Sequence, residues 1–427
     1  MQVDVRYNND NFLNDGEGQL DNPVPKVAVT VEDSRSGFSG WLVIDSMIKE
    51  VSCGGLRVYP GVSAEEIKRL ARTMTLKYGF SGMAVGGAKA GIRIESANID
   101  ALTKRRLLGS FGKQIFSFLN EGKYIAGSDL NTSQVEINSM LKDIGIRLPL
   151  YRRKTGKRSG FFTALSVMVS LEAAASFMRM NLSNSCLAVE GFGEVGSALC
   201  WLMSKKKGVR IAAISTTAGA LYNPDGLDID VLLQLRQKFG SDLIFNYGDA
   251  EVLTKEELFG LDVDILSPCA VQHSINDGNA FAVKAKIISA GANIPVTYSA
   301  EKALFKKGVV IIPHFIANCG GVIGNKLEVA GLSDTYIENF LRSKNSHRII
   351  SLLEKSRLTN KEPVFIAEDY SLRQFEIMRV LAERKSLKST LRQSLVACLH
   401  NGVIPAKLSA IISPFYFERY FRNDIRF

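Results

Sequence analysis

Cysteine is sparse and unpatterned in this sequence. Cys53, Cys186, Cys200, Cys269, Cys319 and Cys398 form no CxxC and no short even spacing. That excludes a disulfide framework and fits reduced thiols, so a cytoplasmic location is expected. Histidine is equally scarce. His273, His314, His347 and His400 lie far apart and make no HxxxH pair, so no metal site is expected. No run of 18 or more apolar residues occurs, and no membrane partner is expected. The first twenty residues are polar and acidic, without the basic stretch and apolar core of a secretory signal. No internal repeat, linker or low-complexity segment is present, which sets aside solenoid and collagen-like architectures.

What is present is the composition of a globular chain, 46% hydrophobic and 22% charged over 427 residues. At roughly 150 residues per domain this length predicts two or three domains, each with a real core. The net charge of +10 raises the question of an anionic partner. The charge is uneven. Residues 1–50 carry 4 basic and 9 acidic side chains, and residues 51–160 carry 19 and 8. Residues 161–330 carry 14 and 16, and residues 331–427 carry 16 and 10. The second stretch therefore holds more than the whole excess. It has few interleaved aromatics (Tyr59, Tyr78, Phe80) and no nucleic-acid motif, so no nucleic-acid partner is expected.

Residues 27–31 and 41–44 read as strands by their β-branched content. Residues 63–79 read as a helix, with Ser63 as N-cap and Glu66 three residues on completing a capping box. Ile67, Leu70, Met74 and Lys77 then share one face. From residue 161 the character changes. Short runs at 186–191, 209–215, 263–268, 286–292 and 308–313 are apolar on both faces and alternate with helical stretches, as parallel strands of a doubly wound sheet do. Residues 335–427 look mainly helical, with Leu372, Phe375, Met378, Leu381 and Ala382 as an apolar stripe.

Gly191, Gly193 and Gly196 complete a GxGxxG directly after a buried-type strand and at the opening of a helix. In that context the first glycine permits the tight turn, the second lets the backbone approach a pyrophosphate, and the third allows close helix–strand packing. The next strand ends in Ile214-Ser215-Thr216-Thr217, with no carboxylate for an adenosine ribose. Lys205, Lys206, Lys207 and Arg210 are close in sequence, so NAD and NADP both remain open.

The basic stretch holds GGLRVYPGVSAEEIKRLARTMTLKYGFSGMAVGGAKAGI, residues 54–92. Lys77 ends the amphipathic helix. Lys89 sits in Gly86-Gly87-Ala88-Lys89-Ala90-Gly91, read as a loop with almost no side chains. Crowding by backbone and other cations there lowers a lysine pKa and suits it to act as a base.

These blocks resemble the glutamate/leucine/phenylalanine/valine dehydrogenase family. The resemblance continues in order through GSDLNT (127–132), TALSV (163–167), VEGFGEVG (189–196), YNPDGLDI (222–229), DILSPCA (264–270), AKIISAGANIPVT (285–297) and PHFIANCGGVIGN (313–325). It implies an α/β fold of two domains with a C-terminal helical segment. Residues 1–157 would be the substrate-binding and oligomerisation domain and residues 158–330 a Rossmann-type dinucleotide-binding domain. Residues 331–427 would be helices packing back on the substrate domain. It implies oxidative deamination of an L-amino acid to a 2-oxo acid and ammonia, with NAD or NADP, by a homo-oligomer whose domain cleft closes.

By the same resemblance Lys77 binds the substrate α-carboxylate, Lys89 activates water and Asp129 shuttles protons, while Gly55 lines the substrate site. The turn Gly191, Phe192, Gly193, Glu194, Val195 and Gly196, with Thr216, Thr163, Ala270, Asn293 and Asn318, would hold the cofactor. Cys53 stands where glutamate-specific members carry a lysine for the side-chain carboxylate, and Asn325 near where they place a serine. TALSV is closer to the threonine-alanine form of the leucine, phenylalanine and valine enzymes. A non-acidic side chain is therefore favoured. The alternatives are a glutamate enzyme whose side-chain cation is relocated, for instance to Arg57, and a catalytically weak member with a binding or regulatory role. Ser166 for glycine, Thr216 for the acidic ribose ligand and His314 for aspartate are further departures.

Overall fold

In a computed structural model of the chain, the described residues are 3–6, 24–33, 38–96, 99–148, 159–206, 208–329 and 332–383. Lys207, Cys398, His400 and the helices expected beyond residue 383 lie outside them. The described residues form two units, one from residues 3–148 with 370–383, the other from residues 159–369.

The first unit contains β1 (Val3–Arg6), β2 (Val27–Asp33), β3 (Phe38–Ile44), β4 (Ser52–Val58) and helix α1 (Ala64–Phe80). It continues with β5 (Gly86–Arg93), α2 (Ala101–Gln114), α3 (Phe116–Asn120), β6 (Tyr124–Ser128) and α4 (Gln134–Asp143). The strands form one mixed sheet in the order β1-β2-β3-β5-β4-β6. The β1–β2, β2–β3 and β3–β5 pairs are antiparallel, and β5–β4 and β4–β6 are parallel.

Side-chain alternation divides the sheet into two faces. Leu42, Ile44, Leu56, Val58, Ala88, Ala90 and Ile92 bury one face against Leu108, Phe111 and Met140 of α2 and α4. On the other face Trp41 and Val43 pack with Val62, Ile67 and Ala71 around α1. Lys89 lies in a central strand, not in the expected loop. A glycine-rich strand forms here because neighbours need the space. A Cβ on Gly87 would lie 2.2 Å from the Thr75 nitrogen, and one on Gly91 2.5 Å from Ile67 Cδ1.

Ser63 caps α1 as expected, its Oγ accepting the Glu66 N–H at 3.2 Å. The reciprocal half of the box does not form as read, since the Glu66 carboxylate is committed to Arg57. Nor is the helix buried along one stripe only. Ile67, Leu70 and Lys77 of the expected stripe are buried and Met74 is half-buried, but Lys68, Thr73 and Thr75 are buried as well, because β5 underlies one side while Ser371 and Phe375 press on Gly79 and Tyr370 meets Phe80 edge-on.

The second unit contains α5 (Ser159–Met178), β7 (Cys186–Glu190), α6 (Glu194–Ser204), β8 (Arg210–Thr216), β9 (Gly219–Tyr222), α7 (Ile229–Phe239) and β10 (Glu251–Leu253). After these come β11 (Ile265–Pro268), β12 (Ile287–Ser289), α8 (Tyr298–Lys306), β13 (Val310–Ile312), α9 (His314–Ala317), α10 (Gly320–Val329) and α11 (Asp334–Thr359). The unit boundary falls inside α12 (Pro363–Glu383). The sheet order is β10-β9-β8-β7-β11-β12-β13. The five expected strands are parallel. The β9–β10 edge was not anticipated and runs antiparallel, because Thr216 pairs with Gly219 across a two-residue turn.

Helix α5 is apolar all round and is the core helix of this unit. Among the described residues it alone is long and apolar enough to cross a membrane by length and composition, yet 67% of that apolar window is buried inside the protein. In α12 Phe375 and Met378 are buried as the stripe requires, while Leu381 is exposed.

Candidate active site

The catalytic candidates of the first unit come from adjacent parallel strands. Gly55 pairs with Gly127 and Leu56 with Ser128, so Cys53, Gly55 and Arg57 of β4 share a face with Lys89 of β5 and with Asp129, just after β6. Lys89 Nζ lies 3.0 Å from Asp129 Oδ2. Arg57 Nε donates to the same oxygen at 2.7 Å, and its Nη1 to Glu66 Oε1. Lys89 is 3% exposed and Arg57 8%. Burial pulls the Lys89 pKa below its ordinary 10.5, and Arg57 adds to the fall while Asp129 opposes it. Burial alone would raise the Asp129 carboxyl, but the charges and hydrogen bonds of Lys89 and Arg57 hold it well below the usual carboxylate range.

Lys77 is buried in the last turn of α1. Gly55 leaves room for Asp129, since a Cβ there would lie 2.7 Å from the Asp129 Cβ. Cys53 is a half-buried free thiol hydrogen-bonded to the buried Tyr78 phenol. Asn325 belongs to α10 of the other unit, and its buried Oδ1 accepts no hydrogen bond. From the sequence Glu66 reads only as part of a cap and Arg57 only as a substitute cation. The signal available was parity: residues 53, 55 and 57 of one strand point the same way.

In the second unit the chain runs outward from β7 to β8 and returns on the other side at β11. The carboxyl end of β7 is thus the point where strand order reverses, the usual place for a dinucleotide. Gly191 adopts φ +89, and a Cβ there would lie 2.6 Å from the Ala270 Cβ. Its N–H donates to Ser215 Oγ at 2.9 Å, and the Phe192 N–H to the Ser215 carbonyl at 2.6 Å. The Phe192 side chain is buried, so the turn is held through its backbone. A Cβ on Gly196 would lie 1.9 Å from the Gly191 oxygen, whereas one on Gly193 would meet nothing within 4 Å. Val195 packs on Gly291. Glu194 Oε1 accepts the Gly160 N–H at 3.1 Å. Helix α6 starts without a side-chain cap, which leaves its N–H groups to the open space at Gly193.

Asn318 is buried and donates to the Gly291 and Ala292 carbonyls and to Asn293 Oδ1 at 3.2, 3.0 and 3.2 Å, while its own Oδ1 has no partner. The structure thus brings Asn293 and Asn318 together. From α5, Ser166 fixes the backbone on either side of Asn318, its Oγ bonding the Thr163 and Ala317 carbonyls and the Gly320 N–H. Thr163 abuts Gly321. An open glycine turn, an uncapped helix start and an orphaned buried amide oxygen fit a dinucleotide. Thr216 donates to the Ser241 carbonyl at 2.8 Å. Lys205 and Lys206 are ion-paired with Asp230 and Glu172. His314 opens α9 with its ring edge-on to Phe315. Among the described residues no group of three or more His, Cys, Asp or Glu side chains is placed to hold a metal.

A glycine turn at the switch point of a parallel sheet, and a buried lysine paired with an aspartate on a second sheet, define an oxidoreductase of the amino-acid dehydrogenase class. Residues 158–357 match the family model described as Glutamate/Leucine/Phenylalanine/Valine dehydrogenase, and residues 23–145 match its dimerisation domain. The chain is 34% identical over 312 residues to NAD-specific glutamate dehydrogenase of Staphylococcus aureus, covering 70% of this chain and 73% of that one. It is 31% identical over 296 residues to glutamate dehydrogenase of Thermotoga maritima, covering 67% and 70%. Its fold is that of the hetero-hexameric glutamate dehydrogenase of Thermus thermophilus in its leucine-bound form, with a TM-score of 0.74, 22% identity and coverage of 85% and 91%. The chain belongs to the Glu/Leu/Phe/Val dehydrogenase family.

Proposed function

We propose that this protein catalyses the reversible oxidative deamination of an L-amino acid with an uncharged side chain, using NAD or NADP. Amino acid, water and the oxidised dinucleotide give 2-oxo acid, ammonia, the reduced dinucleotide and a proton. The observation that carries the reading is the contact of 3.0 Å between the buried Lys89 Nζ and Asp129 Oδ2. A base and an acid within hydrogen-bond reach suit the two proton transfers of such a reaction.

Lys77 holds the α-carboxylate as a buried cation. Asp129 takes a proton from the substrate ammonium. The bound nicotinamide supplies the hydride acceptor. Lys89, as the neutral amine, takes a proton from the water that attacks the imino carbon. Asp129 then returns a proton to nitrogen; the C–N bond breaks, ammonia leaves, and the carbonyl of the 2-oxo acid forms as the carbinol hydroxyl gives up its proton to solvent, where Lys89 also releases the proton it took from water.

Two observations favour an uncharged side chain. Cys53 stands in place of the lysine of glutamate-specific members and hydrogen-bonds the Tyr78 phenol. Arg57, one candidate for the relocated cation of a glutamate enzyme, is committed to Asp129 and Glu66. The relatives named glutamate dehydrogenases support the other substrate. A panel of amino acids assayed with NAD+ and with NADP+ by the absorbance of the reduced nicotinamide decides between them. Turnover of glutamate alone overturns the side-chain assignment. Cofactor binding with no turnover of any amino acid overturns the enzymatic reading in favour of a binding or regulatory role.

On this reading residues 1–157 form the substrate and oligomerisation domain, residues 158–330 the dinucleotide domain and residues 331–427 a C-terminal segment. The match to a dimerisation domain supports a homo-oligomer. Free thiols at Cys53, Cys186, Cys200, Cys269 and Cys319 support a cytoplasmic setting.

A further inference from the structure

The reaction outlined above leaves two buried charges without a task. Arg57 shares Asp129 Oδ2 with Lys89 and is held from the other side by Glu66. The four groups come from four places: Arg57 from β4, Glu66 from the first turn of α1, Lys89 from β5 and Asp129 from the end of β6. Arg57 and Glu66 are 8% and 4% exposed. A guanidinium is a rigid planar fork, so carboxylates on two of its edges fix its orientation.

We propose that Arg57 is a positioning residue for the Lys89–Asp129 proton-transfer pair and that Glu66 is its counterweight. Arg57 fixes Asp129 Oδ2 beside Lys89 and biases Lys89 toward the neutral amine; Glu66 holds Arg57 and limits that bias. The proposal rests on the reading of Lys89 and Asp129 as the proton-transfer groups.

The charges give the physical reason. With Lys89 protonated and Asp129 ionised, the four groups sum to zero. Removing Arg57 leaves two anions near Lys89, which favours its protonated form. Removing the Glu66 charge leaves an unbalanced cation, which favours the neutral amine. Burial is the main cause of the lowered Lys89 pKa. Arg57 acts in the same direction, and Asp129 and Glu66 act against it. The two substitutions therefore act in opposite directions on one lysine, which a merely structural role would not produce.

The test uses the full chain and needs no substrate. Trace acetic anhydride labels neutral amines, and peptide mapping of labelling at Lys89 against pH reads its neutral fraction. In Arg57→Met the labelling midpoint moves to higher pH, and in Glu66→Gln to lower pH, each with about a 3- to 10-fold change in labelling near neutrality. Shifts of the same sign, or none, in variants that melt like the parent overturn the proposal. If Arg57→Met does not fold, Arg57→Lys keeps the charge and loses the fork. It is expected to retain the midpoint and lose about 10- to 100-fold in kcat for L-leucine, or for L-glutamate if the panel selects it, with little change in KM. A parental kcat in that variant overturns the positioning role. Lys89→Ala and Asp129→Asn separate the two failures. Full turnover in those variants sinks the underlying reading. Loss of turnover there, with unshifted labelling in Arg57→Met and Glu66→Gln, sinks only the role given to Arg57 and Glu66.

Discussion

Glu190 Oε2 accepts the backbone N–H of Ala270 at 3.2 Å, so one buried carboxyl ties the end of β7 to the segment after β11. Burial pushes this carboxyl up from 4.5 to about 7, against the hydrogen bonds it accepts. A raised folded pKa gives stability that is complete below pH 4.5 and is lost as pH rises through 7. Glu190→Gln keeps the acceptor without the charge. The stability of the variant relative to the parent should therefore rise by about 3 kcal/mol between pH 4 and pH 8. Urea unfolding at the two pH values measures it, and a difference independent of pH contradicts the assignment.

Asp129 titrates with the opposite sign. Its depressed carboxyl contributes stability that is complete above its ordinary 3.8 and is lost as pH falls below that value. Asp129→Asn should lower kcat by about 10²- to 10⁴-fold. It should also flatten the acid side of the stability curve below pH 4, followed by circular dichroism. An acid limb as steep as the parent's would show that the pair is not ionised as described.

The three glycines of the turn separate into two kinds. Gly191→Ala and Gly196→Ala meet Ala270 and the Gly191 oxygen, and should cost about 2 kcal/mol or more of stability. Gly193→Ala meets nothing. It should melt like the parent yet bind NAD(P)H about tenfold more weakly, because its Cβ enters the space next to the uncapped helix. Calorimetric titration and thermal melts together distinguish these results.

Cys53→Lys places a cation on the face that carries Lys89 and Asp129. It should move the ratio of kcat/KM for glutamate to that for leucine upward by at least about tenfold, since one paired side-chain carboxylate is worth about 1.5–3 kcal/mol. An unchanged ratio would remove Cys53 from the substrate site.

Ser166→Ala removes the hydroxyl that bridges Thr163, Ala317 and Gly320. Leaving the Gly320 N–H buried without a partner should cost about 1–3 kcal/mol. Dinucleotide affinity should fall with it, because Asn318 sits between the two bridged residues. Unchanged affinity in a folded variant would detach Ser166 from the cofactor site.

The dinucleotide turn was legible because its chemistry is local. A strand, three glycines at fixed spacing and a helix start are consecutive in the chain, and their geometry follows from residues a few positions apart. The five parallel strands were legible for the same reason. The antiparallel edge was not, since β9 is four residues long and differs from a loop only in its partner. The glycine-rich segment around Lys89 read as a loop because intrinsic propensity disfavours glycine in strands. Packing of α1 against Gly87 and Gly91 reversed that preference.

The sequence by itself determined the class of chemistry: the lysines, Asp129, the glycine turn and the missing carboxylate at Thr216 are side-chain identities in order. Only the tertiary structure decided who holds whom. Arg57 and Asp129 are 72 residues apart, and their hydrogen bond exists because β4 and β6 pair in parallel in one particular register. A shift of one residue in that register would turn Arg57 to the opposite face. Glu66 reads as a cap from its neighbours and becomes an ion-pair partner because α1 lies on the face that carries Arg57. Side-chain identity is written residue by residue, whereas burial and charge balance belong to groups that the fold brings together from distant parts of the chain.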